Sequence, residues 1–186
     1  MMTKTVLVPI AEGSEEMEAV TIIDVLRRAG AIVTVASVGN LKITCSRGVK
    51  IEADTLIDQC ASQTFDLIAL PGGIPGAENL RDSQLLIQKL RQQKEEGRFF
   101  AAICASPAVV FQHHGLIDHL NATCHPAFKD QLPPKTEVSS RVVVDGGCIT
   151  SCGPGTALSF SLKLVECLFG TEKMKEVAAP MVIDTL

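Results

Sequence analysis

Nothing in the sequence is both long and apolar enough to span a membrane. Its longest uncharged stretches are interrupted by Pro107 or by Gly153-Pro154-Gly155, short of the roughly 18–20 continuous apolar residues a spanning helix needs. A surplus of positive charge is also missing. With 17 Lys and Arg against 21 Asp and Glu, the net charge is -4 and the pI about 5.6, so no basic footprint invites nucleic acid. The amino end has one lysine, a short apolar run to Ile10 and then Glu12, too brief for a secretory signal. Seven cysteines, an odd number without a Cys-x-x-Cys pair, argue for reduced thiols in the cytoplasm over a disulfide framework. Cys124-His125 and Cys148/Cys152 match no structural metal spacing, and no metal is expected. A Gly-rich phosphate loop with Lys and Ser/Thr is absent, as are repeats, linkers and low-complexity tracts.

What is present suffices for one substantial core. At 186 residues, 46% hydrophobic and 20% charged, the chain is expected to form a single domain over 1–186. Thr5 to Ile10 reads as a strand. Glu15 to Ala29 follows as a helix, with Ala19, Ile22, Ile23 and Leu26 at helical spacing and Gly30 at its end. Ala31 to Ser37 and Phe65 to Leu70 are buried strands, and Leu41 to Ile51 holds two shorter strands around Ser46-Arg47-Gly48. Asp82 to Glu96 is amphipathic and feeds a strand ending at Cys104. Arg141 to Thr150 forms a hairpin around Asp145-Gly146, Thr156 to Phe169 a buried helix, and Glu172 to Ile183 a final helix. Apolar, non-alternating strands between helices imply a doubly wound α/β sandwich, its sheet mostly parallel and covered on both faces.

In such sheets ligands bind beyond the carboxyl ends of the strands. Three strand exits are chemically unusual: Ala11 to Glu18, Pro71 to Gly76, and Cys104 to Pro107. Cys104 stands between a buried strand and a helix in which Ser106 serves as N-cap and Pro107 as first residue. Unpaired N–H groups at that helix start would push the thiol toward thiolate. The alternative is an inert buried cysteine. Glu15 and Glu16 complement the dipole of their helix, whereas Glu18, one turn in and followed by Ala19-Val20, faces inward and needs a partner. Backbone N–H groups of Gly73 and Ala105 could form an oxyanion hole; the competing reading of Pro71-Gly72-Gly73 is a simple turn.

Glu15-Glu16-Met17-Glu18, Cys45-Ser46-Arg47, Leu70-Pro71-Gly72-Gly73, Ala101 to Pro107, Cys124-His125-Pro126 and Gly153-Pro154-Gly155-Thr156, taken in order, closely resemble the DJ-one/ThiJ/PfpI superfamily. Within it the sequence is most similar to the Parkinsonism-associated protein deglycase branch and its bacterial YajL-like relatives. The resemblance implies a flavodoxin-like homodimer in which Cys104 is the reactive thiolate, Glu18 its carboxyl partner, Gly73 and Ala105 the backbone donors, and His125 a neighbour. It further implies cofactor-free processing of reactive dicarbonyls, as a glutathione-independent glyoxalase, or deglycation of their adducts on protein or nucleotides, in oxidative and carbonyl stress defence. The alternative is a non-catalytic redox sensor or redox-regulated chaperone working through Cys104 oxidation. The residues agree with a thiolate and a carboxyl sharing one proton, Glu18 raised by the neighbouring negative charge.

The departures from the family are informative. The PfpI peptidase branch carries histidine after the nucleophile, where Ala105 stands here, so peptidase chemistry is disfavoured. His125 is a candidate base, with capping or packing before Pro126 as the other reading. Cys152 occupies a position where relatives carry arginine or glutamine. The resemblance brings Arg47 to the site across the dimer as a candidate anion contact.

Overall fold

The computed structural model describes residues 3–133 and 140–183. The elements in chain order are β1 (Thr5–Ile10), α1 (Glu16–Arg28), β2 (Ile32–Ser37), β3 (Lys42–Thr44), β4 (Lys50–Glu52), β5 (Thr55–Leu56), β6 (Leu67–Leu70), α2 (Gly76–Arg81), α3 (Gln84–Glu95), β7 (Phe99–Ile103), β8 (Val142–Asp145), β9 (Cys148–Ser151), α4 (Ala157–Phe169) and α5 (Thr171–Ala178). Seven strands form one sheet in the order β5-β2-β1-β6-β7-β9-β8. All its pairings are parallel except β8 with β9.

The chain winds outward from β1 to β2, then returns to β6 and winds the other way through β7 to β9. Right-handed crossovers in opposite directions place α1 and α3 on opposite faces, which is the doubly wound sandwich the strand pattern implies. Each central strand is buried on both sides: Val6, Leu7, Val8 and Ile10 of β1 and all of β6 are at or below 1% exposure. α1 packs against α4, and α3 against β6 and β7.

Some local expectations change. β5 and α2 are too short to announce themselves in the sequence. The last helix stops at Ala178 and continues only as a 3₁₀ turn over Ala179–Met181, because Pro180 has no N–H to carry on the ladder. The helical segment after Cys104 is six residues long, Pro107–Gln112, and π-like. Ser106 does not cap it. It adopts helical backbone angles, and its hydroxyl donates instead to Pro71 O at 2.6 Å, tying the β6 exit to the β7 exit. No helix among the described residues is long and apolar enough to cross a membrane.

Candidate active site

The sheet reverses between β1 and β6, and the chains leaving these strands and β7 converge there. Glu18, two residues into α1, is fully buried. Its Oε2 accepts from Gly72 N–H at 2.7 Å, while Oε1 has no hydrogen-bonding N or O partner. The carboxyl lies against the Cys104 thiol. A proton on Oε1 directed at the sulfur resolves the orphaned oxygen, since a protonated carboxyl is a donor. Burial, with a smaller contribution from the Glu15 charge, pushes Glu18 up to about 7. The sequence reading put this rise down to a neighbouring negative charge; desolvation is the larger cause.

Cys104 is 9% exposed and has φ +65°, a left-handed conformation uncommon for a non-glycine residue. The surroundings over-determine it. Its N–H donates to Ser151 O at 3.0 Å, and its carbonyl accepts from His125 N–H at 2.8 Å. Gly72 packs so close that an added Cβ would meet Cys104 Cβ at 2.6 Å, and Gly73 has φ +86° with Glu15 N 2.6 Å from where its Cβ would be. Only glycine fits this double turn. The N–H groups of Gly73 and Ala105 both bond to the Cys104 sulfur, so the two expected donors are in place. The thiol itself departs from expectation. Burial and the Glu18 charge push it up to about 12, outweighing the two donors.

Glu18 therefore raises the thiol, whereas the hydrogen bond from the thiol works to lower Glu18, and above about pH 7 the pair holds one proton. With Glu18 ionised the proton sits on sulfur. When it passes to Glu18, the opposing charge disappears and the carboxyl O–H becomes a third donor to the sulfur beside Gly73 and Ala105. The contact gives the thiol proton a carboxylate to pass to, and that transfer would leave a thiolate facing Gly73 and Ala105.

The other candidates stand further off. His125 Nδ1 accepts from Ala127 N–H at 3.2 Å and caps the 3₁₀ turn Pro126–Gln131; the residue is joined to Cys104 through its backbone N–H. The ring is not among the groups acting on the thiol. Arg47 is exposed, and its backbone N–H donates to Glu16. Cys152 Sγ lies 3.2 Å from Thr123 Oγ1. Among the described residues no group of three or more His, Cys, Asp or Glu is arranged to hold a metal ion.

Two roles were missed. Glu15 is more than a dipole partner: its carboxylate caps α1 by accepting from Glu18 N–H at 2.7 Å. Glu16 turns away to Ser46 Oγ at 3.0 Å and Arg47 N–H at 2.9 Å. The Glu16 contacts have no local sequence signal, since its partners lie some 30 residues away. The contribution of Gly72 was hidden inside a Pro-Gly-Gly run that reads equally as a turn.

Comparison with known proteins places the chain. Residues 4–167 match the DJ-1/PfpI family. Protein DJ-1 homolog B of Arabidopsis thaliana is 51% identical over 172 residues, 92% of this chain and 39% of that protein, so the chain spans less than half of that relative's length. The glutathione-independent glyoxalase DJR-1.2 of Caenorhabditis elegans is 36% identical over 175 residues, 91% of each chain. The solved structure of oxidized Toxoplasma gondii DJ-1 superposes with a TM-score of 0.96 at 48% identity, covering 98% of this chain and all of the other. Fold, motif order and these likenesses agree that the chain belongs to the DJ-1/PfpI family.

Proposed function

We propose that this protein is a cofactor-free enzyme acting on reactive dicarbonyls or their adducts, with Cys104 as nucleophile and Glu18 as general acid and base. The observation that carries the proposal is the buried Glu18 carboxyl, raised to about 7, against a sulfur held by two backbone N–H groups. The glyoxalase named among the relatives supports it. With methylglyoxal, the thiol proton passes to Glu18 and the thiolate adds to the aldehyde carbon. Glu18 returns the proton to the new oxyanion, for which Gly73 and Ala105 are the available donors. The carboxylate then takes the proton from the former aldehyde carbon and delivers it to the neighbouring carbon, while the hydroxyl proton crosses to the neighbouring oxygen, leaving a lactoyl thioester. Water hydrolyses the thioester to lactate and restores the thiol, so the overall change is addition of one water. No step uses His125 as base; it holds the Cys104 backbone.

The test is lactate formed from methylglyoxal without glutathione. Wild type should produce it, and Cys104→Ser and Glu18→Ala should not. Turnover retained in Cys104→Ser would reject the nucleophile. A sensor reading draws on the oxidized state of the Toxoplasma relative. It is favoured if every variant is inactive while peroxide adds oxygen mass at Cys104 of wild type.

We also infer a homodimer. α1 leaves Met17 and Val20 at 60% and 51% exposure, and Val49 at 50% adds to the apolar surface. Arg47, two residues before Val49, would travel with this face as an anion contact. Light scattering should give twice the chain mass, and Val20→Asp should give one.

A further inference from the structure

The β3–β4 ribbon lies outside the seven-stranded sheet, and it is sewn to the segment that leads into Glu18. Gly13 N–H donates to Thr44 O, Ser46 N–H to Ser14 O, and Thr44 N–H to the Glu12 carboxylate, each at 2.9 Å. At the centre is Glu16, only 7% exposed, whose carboxylate accepts from Ser46 Oγ at 3.0 Å, Arg47 N–H at 2.9 Å and Val49 N–H at 3.4 Å. Burial works to raise this carboxyl, but its hydrogen bonds outweigh burial and keep the group below its ordinary value, hence ionised. A part-buried ionised carboxylate with hydroxyl and backbone donors is a geometry-specific tie, because charge-assisted hydrogen bonds are stronger than neutral ones.

The tie has a short lever arm. From Glu16 the helix reaches Glu18 in two residues, and Glu15 between the ribbon and the sheet donates its N–H to Gly72 O while capping Glu18 N–H. Gly72 in turn donates to the Glu18 carboxylate. The ribbon is thus tied to the same stretch of chain that seats Glu18 against Gly72.

We propose that Glu16 is a positioning residue: its carboxylate clamps the Ser46–Val49 turn, and the clamped ribbon holds the chain from Glu12 into α1 so that the Glu18 carboxyl stays dry and seated against Cys104. The functional meaning of this clamp rests on the Cys104/Glu18 chemistry proposed above. Its structural effect does not. Cys45, at the root of the same turn, is buried and pushed up to about 11 by burial and by Glu16, Glu15 and Glu12, so the clamp also keeps a second thiol unreactive.

The experiment reads the thiol directly. The rate of Cys104 alkylation by iodoacetamide is followed against pH by peptide mass spectrometry in wild type, Glu16→Ala and the milder Ser46→Ala. Amide exchange at Arg47 and Val49 is measured in parallel. Glu15 and Cys104 are the titratable groups acting on Glu18, and neither is changed. Wild type should show a step near pH 7 as Glu18 ionises. In Glu16→Ala water relieves the burial that raises Glu18, so the step should move down by about one pH unit or more, with at least tenfold faster exchange at Arg47. Ser46→Ala should move both in the same direction by less, which preserves the test if Glu16→Ala does not fold. A step unmoved while exchange accelerates would overturn the proposal, reducing Glu16 to a local tie; so would unchanged exchange. Absence of lactate from wild type would instead count against the proposed reaction and leave this readout standing.

Discussion

A buried carboxyl raised from 4.5 to about 7 should make the folded protein lose stability as pH rises, and Glu18 allows the size to be worked out. The unfolded chain ionises Glu18 near 4.5, whereas the folded chain resists until about 7. Between these values the native state binds more protons than the unfolded state, so stability falls with rising pH and levels off above the folded value. At ~1.36 kcal/mol per pH unit the loss between pH 5 and pH 8 is about 2.5 kcal/mol. Glu18 is fully buried, so solvent screening does not reduce it. Glu18→Gln keeps the shape and an acceptor for Gly72 N–H but cannot ionise. Near pH 5 it should match wild type to within about 1 kcal/mol, and at pH 8 it should be relatively more stable by about 2.5 kcal/mol. Urea unfolding under reducing conditions, followed by far-UV circular dichroism because the chain has no Trp or Tyr, measures both. Parallel pH dependences in the two proteins would refute the buried, high-pKa carboxyl and the acid–base role built on it.

Three further outcomes follow from the packing. Gly72→Ala places a Cβ 2.6 Å from Cys104 Cβ and 2.9 Å from Ile103 O, so it should cost about 1–3 kcal/mol and change the Cys104 alkylation rate; Gly155→Ala, with nothing within 4 Å, is the control and should do neither. Ser106→Ala removes the hydroxyl bridge from the turn after Cys104 to Pro71 O and should cost about 1–2 kcal/mol by urea titration, with local exchange rising at residues 71–73. Lys89 is buried and donates to Ala61 O at 3.1 Å and Gln63 O at 2.7 Å, so Lys89→Met should keep the core but speed amide exchange over Ile57–Cys60 at least tenfold.

The amino-acid sequence by itself determined the alternation of strands and helices, and with it the doubly wound parallel sheet. Hydrophobic period, Gly30 and Gly97 at helix ends, and the two-sided apolar strands are local, so they survive without knowledge of what packs where. It also marked Cys104, Glu18 and Gly73 as strand-exit residues, because a parallel sheet sends its carboxyl ends to one edge. What only the tertiary structure decided is how those residues act on one another. Whether Ser106 caps a helix or reaches Pro71, whether Glu16 serves a dipole or holds a turn thirty residues away, and whether Cys104 is acidified by a helix or raised by burial are long-range questions. Hydrogen-bond partners and desolvation depend on groups brought together by folding, and no spacing along the chain encodes them.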